Sequence, residues 1–138
     1  MSITADFARR FRFLTLLRAS LVAGAVYDLS FAVLMLAAPQ LPARLLHLPL
    51  PPLPAGAFYL WVMATLLCML AALYVLAARD TRRYSGIVVV AIAGRIAGGL
   101  LMALAALRGP DLAGLWPLAV ADLGFGLAHA MFWLPIRS

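Results

Sequence analysis

Apolar residues run along this chain in long blocks, broken only by short clusters of arginine, aspartate, glycine and proline. Four blocks reach the roughly 20 residues that a helix needs to cross a bilayer. They lie at about 14–38, 57–78, 85–107 and 115–134. A helix satisfies its own backbone hydrogen bonds in hydrocarbon, where no water is present to do so. The ten-residue alternation of a membrane barrel strand is absent. The pattern predicts an all-α fold: one integral membrane four-helix bundle over residues 1–138, with short connections.

The connections are marked by turn chemistry. Pro39, Pro42, Pro49, Pro51, Pro52 and Pro54 fall between the first two blocks, where they interrupt no spanning helix. This loop is expected to be stiff and partly extended. Its run from Leu45 to Leu50 either lies in the headgroup layer or folds over the end of the bundle. Arg79-Asp80-Thr81-Arg82-Arg83 makes a tight second connection, and Arg108-Gly109-Pro110-Asp111 a third. The first block is too long for the core of a secretory signal and carries Asp28, so it is read as a retained helix.

Composition sharpens this picture. Sixty-six per cent of the residues are hydrophobic and 12% charged, far from the roughly 25% charged of a soluble domain. Every basic residue is arginine and every acidic one aspartate. Arg9, Arg10, Arg12, Arg18, Arg79, Arg82, Arg83 and Arg137 fall on one side of the predicted bundle; Arg44 and Arg108 fall on the other. By the positive-inside rule both termini are expected in the cytoplasm. The net charge of +6 is then a topology signal that also attracts anionic lipid, not a nucleic-acid surface. Cys68 is the single cysteine, so neither an intramolecular disulfide nor a CxxC motif is possible. Arg9-Arg10-Phe11 before the first block and Arg82-Arg83-Tyr84 before the third, with Trp61 and Trp116 opening the second and fourth, hint at a two-helix repeat.

Asp28, Arg95, Asp122 and His129 fall inside predicted spans. Each charge at mid-membrane costs about 2.5–3.5 kcal/mol on insertion scales, so Arg95 is expected to turn inward and bridge to Asp28, Asp122 or both. Two aspartates against one arginine leave a carboxylate over, the candidate proton carrier. The same cluster reads equally as an ion pair that fixes helix register. His129 shares a helix face with Asp122, two turns away. It is expected to bond a carbonyl or a headgroup near the membrane surface, with an acid–base couple to Asp122 as the sharper alternative. Tyr27, deep beside Asp28, needs a partner for its hydroxyl, either Asp122, a ligand or a backbone carbonyl. Gly24, Gly94, Gly98 and Gly126 lie at spacings that let helices approach closely in lipid. His47 and His129 fall on opposite sides, so no metal site is expected, and no cofactor motif is present.

Gly24, the Leu36-Ala37-Ala38-Pro39 close of the first block, Ala77-Ala78-Arg79-Asp80 and Gly94-Arg95-x-x-Gly98 resemble the small four-helix bacterial membrane proteins loosely of the DoxX-like kind. The resemblance runs over nearly the whole chain on short motifs. It implies an inner-membrane bundle, in a group associated with quinone-linked redox complexes, and carries over no catalytic residue.

The leading expectation is a non-catalytic membrane protein that works by association. It would serve as an accessory subunit of a larger complex, or as a bundle that binds a lipid, a quinone or another lipophilic small molecule. The second is a small homo-oligomeric transporter or proton-coupled carrier using Asp28, Arg95 and Asp122. The third is an enzyme acting on a lipophilic substrate, with Asp122 and His129 as acid and base and Tyr27 assisting.

Overall fold

A computed structural model describes residues 3–49 and 55–137. The described chain is helical: α1 (Ile3–Ala37), α2 (Gln40–Leu45), α3 (Ala55–Arg79), α4 (Ser85–Arg108), a 3-10 turn (Pro110–Leu115) and α5 (Trp116–Trp133). Four segments are long and apolar enough to cross a membrane: Phe7–Ala37, Gly56–Arg79, Ser85–Arg108 and Pro110–Trp133. The protein is an all-α multi-pass membrane bundle. Helix α1 packs most extensively on α3, and α4 on α5; α1 against α5 joins the two pairs.

The faces are arranged for lipid. Along α1, Leu17, Leu21, Ala25, Asp28 and Ala32 are buried, whereas Val22, Val26, Leu29, Val33 and Leu36 are exposed. Both sets recur every three or four residues, one helix face each. The inner stripe joins Leu17 and Leu21 to small and polar residues, and the outer stripe is made of large apolar ones. Water would penalise such an outer stripe as a large apolar patch; hydrocarbon does not. Helix α5 repeats the pattern, with Ala119, Gly126 and His129 inside and Val120, Leu127 and Met131 outside.

Two boundaries differ from expectation. Helix α1 begins by residue 3, not near residue 14, so the arginine-rich flank continues the spanning helix. No glycine or proline stands there to stop it. The proline-rich connection is in part a helix: Pro39 caps α2 and Pro42 sits within its first turn, where a missing N–H costs nothing. Helix α2 ends in a Schellman motif, with the Leu48 N–H donating to the Ala43 carbonyl at 2.8 Å and the His47 N–H to Arg44 at 3.2 Å. His47 takes the left-handed position with φ 51°, a place glycine normally holds.

The described part of the segment after α2 folds over the bundle end. A Cβ on Gly114 would come within 1.5 Å of the Leu46 carbonyl oxygen, so only glycine permits this crossing. Leu50, Pro51, Pro52 and Pro54 lie outside the described residues. The α3–α4 turn is tight, as expected, with Asp80 Oδ1 accepting the Arg83 N–H at 3.0 Å.

Candidate functional site

Arg95 lies at the centre of the bundle, 5% exposed. Its Nη2 donates to Asp28 Oδ1 at 2.7 Å and to the Gly24 carbonyl at 3.3 Å. Its Nη1 donates to Asp122 Oδ1. One guanidinium from α4 thus ties α1 to α5. Breaking such a buried pair on one side leaves an uncompensated charge, which costs far more than the intact pair contributes.

Aromatic rings close the cage. The guanidinium carbon is 5.3 Å from the ring centroids of Tyr27, Tyr74 and Phe125, one each from α1, α3 and α5. Cation–π attraction of this kind reaches about 2 kcal/mol once water is excluded. Tyr74 and Phe125 carry no charge and follow no motif, so the sequence pattern did not single them out. Their signal is position alone: Phe125 stands three residues after Asp122, one turn along the same helix face. Tyr27 belongs to the cluster through its ring. It stacks on Phe31 at 5.1 Å and Phe125 at 5.6 Å, and its hydroxyl makes no hydrogen bond among the described residues, to Asp122 or otherwise.

Small residues make the room. Gly24 lies under the Tyr74 ring and Arg95 Nη2, Gly98 faces Asp122 Oδ2, and Gly126 lies against Arg95 and Ile96. A Cβ on Gly126 would meet Ile96 Cγ1 at 2.9 Å, so glycine is what brings α5 onto α4. Gly94 has no such role. It is exposed, and nothing lies within 4 Å of where its Cβ would stand. The α4–α5 contact instead uses Gly99, where a Cβ would sit 2.7 Å from Leu123 Cγ. Arg95 must face inward, and Gly94, one residue before it, then points away.

His129 is fully buried, so it meets no headgroup. Its ring lies 6.0 Å from Tyr74 and 6.1 Å from Phe125, near the Ser20 backbone, and neither nitrogen completes a hydrogen bond of good geometry. No hydrogen bond joins it to Asp122, and of the two only Asp122 borders the cavity described next. The acid–base couple is not assembled. Among the described residues no group of three metal-ligating side chains occurs.

A cavity of about 500 Å³ reaches from this cluster to the end of the bundle capped by α2. Its floor is Tyr27, Asp28, Arg95 and Asp122. Its walls are apolar, including Phe31, Met63, Leu67 and Met102, and its roof includes Pro42, Leu46 and Leu48. On the floor, Asp28 Oδ2 is buried without a hydrogen-bond partner. Unsatisfied buried acceptors are uncommon in folded proteins, because each costs its full desolvation. The arrangement offers an apolar sleeve with an acceptor at its base, in the size range of small-molecule sites. Compared with family models, with curated proteins and with solved structures, the chain matches none.

Proposed function

We propose that this bundle binds a lipophilic small molecule, its apolar body in the α2-capped cavity and a hydrogen-bonding head at Asp28. The carrying observation is the unpartnered, buried Asp28 Oδ2 at the base of a cavity whose walls are apolar. The head group is a donor, such as a hydroxyl, because a carboxylate oxygen can only accept. Arg95 is already engaged by two aspartates, so an acidic head would meet a cluster whose formal charge is negative. A hydroxylated lipid or a reduced quinone fits both conditions. The DoxX-like resemblance favours the quinone. The protein then acts by association, alone or within a larger complex; the arginine count supports cytoplasmic termini and the resemblance a bacterial inner membrane.

Native mass spectrometry of protein extracted gently from its own membrane tests this. The wild type is expected to carry a defined lipophilic mass. Leu67→Trp, which fills space at the cavity wall and removes no member of the ion cluster, is expected to lose that mass and keep its unfolding midpoint. The proton-coupled carrier is the second reading, favoured by two carboxylates on one arginine. A ligand-free wild type that moves protons or a solute in liposomes, and stops doing so as Asp28→Asn or Asp122→Asn, would establish the carrier and overturn the binding reading.

A further inference from the structure

The opposite end of the bundle holds a second cavity, about 620 Å³ in volume. Three arginines from three separate segments border it: Arg10 of α1, Arg82 of the α3–α4 turn and Arg137 beyond α5. The described residues of its lining include no acidic side chain. Arg82 and Arg137 face this space as like charges, and an anion between them relieves their repulsion. Guanidinium groups match phosphate oxygens in geometry and hold them with charge-assisted bonds.

Apart from Thr81 and Ser85, the rest of the lining is apolar. Phe11, Leu14, Trp133 and Ile136 border the same space. Phe7, also in the lining, is 73% exposed and Phe11 65%. Aromatic rings beside arginines at the end of spanning helices mark the level where headgroups give way to acyl chains. A free anion would use the arginines and leave these walls idle. A phospholipid uses both.

We propose that this cavity holds an anionic phospholipid, its phosphate between Arg82 and Arg137 and its acyl chain against Phe7, Phe11 and Leu14. The site is separate from the α2-capped cavity, and neither depends on the other.

The test compares lipid retention in nanodiscs of equimolar phosphatidylglycerol and phosphatidylcholine. The protein is extracted with mild detergent and its bound lipids are read by native mass spectrometry. The wild type is expected to retain phosphatidylglycerol preferentially. Arg82→Gln/Arg137→Gln is expected to lower that preference about a hundredfold, since each direct hydrogen bond to a charged phosphate contributes a factor of roughly ten. Arg12→Gln/Arg83→Gln removes the same charge from the same end, outside the cavity, and is expected to leave the preference nearly unchanged. All four arginines are exposed, so the unfolding midpoints should agree and separate lost binding from lost fold. Equal loss in both double variants would overturn the proposal in favour of a diffuse field. Release of the lipid by millimolar inorganic phosphate would overturn it in favour of a soluble-anion site. No preference in the wild type would overturn it outright.

Discussion

The two halves of the bundle are built differently. Toward the chain termini, Leu17, Leu21, Ala71, Tyr74, Ala77, Val88 and Ala91 form a packed core, with Phe132 and Trp133 against it. Toward α2, the same four spanning helices surround a cavity roofed by a proline-rich segment. The Arg95 cluster lies at the junction. In lipid the outside of a helix is as apolar as its inside, so packing and polar contacts hold the bundle together. The packed half supplies the first and the arginine the second. Together they let the other half stay open.

Removing the arginine should break this division most severely. Arg95→Met leaves the buried Asp28 and the half-buried Asp122 without their counter-charge, and is expected to cost about 3–5 kcal/mol in equilibrium unfolding in micelles. Adding Asp28→Asn and Asp122→Asn to it should recover much of the loss. A variant as stable as the wild type would show that the packed half alone carries the fold.

Much of this was legible in the sequence because membrane burial makes polar residues rare. Asp28, Arg95 and Asp122 stand out against apolar blocks, and insertion cost alone predicts that the arginine turns inward to the aspartates. The length of each block set the spans within a few residues, except where α1 runs on through Arg9, Arg10 and Arg12. Hydropathy could not see that extension, since arginine favours helix as well as a membrane flank. Nor could spacing separate Gly94 from Gly99. Both fit small-residue stripes, and only the facing of Arg95 decides which one meets α5. The cavity left no trace in any single motif, because its walls are residues that would serve equally as lipid-facing filler. Its roof was hidden by prolines that read as extended chain and instead begin a helix.

The contrast between halves predicts unequal responses to the same truncation. Leu21 is fully buried in the packed core, and Leu67 borders the cavity. Leucine-to-alanine changes in packed interiors cost about 2–5 kcal/mol. Leu21→Ala should fall at the low end, about 2 kcal/mol, because the truncated side chain loses packing contacts but gains no exposure to water. Leu67→Ala enlarges space that is already empty and should cost less than about 1 kcal/mol. Urea or detergent unfolding of the two variants side by side reads the difference. Equal costs would mean that the open half is packed in solution, around a bound molecule or by collapse of α2.

The smallest effect concerns the roof. His47 holds a left-handed backbone conformation at the end of α2, because the Schellman hydrogen bonds from Leu48 and His47 require it there. A side chain in that conformation is disfavoured by roughly 1 kcal/mol against glycine. The imidazole is exposed and makes no hydrogen bond among the described residues, so nothing offsets the strain. His47→Gly should therefore stabilise the α2 end by about 0.5–1 kcal/mol, less the entropy glycine adds to the unfolded chain. Hydrogen exchange at the Leu48 amide, which bonds back to Ala43, reads this locally, where a global midpoint would barely move. Slower exchange in His47→Gly, with the Leu21 region unchanged, would mark the roof as a unit that opens independently of the packed half. Exchange that shifts equally in both places would instead show that roof and core unfold together, and that the division between the halves is one of packing alone.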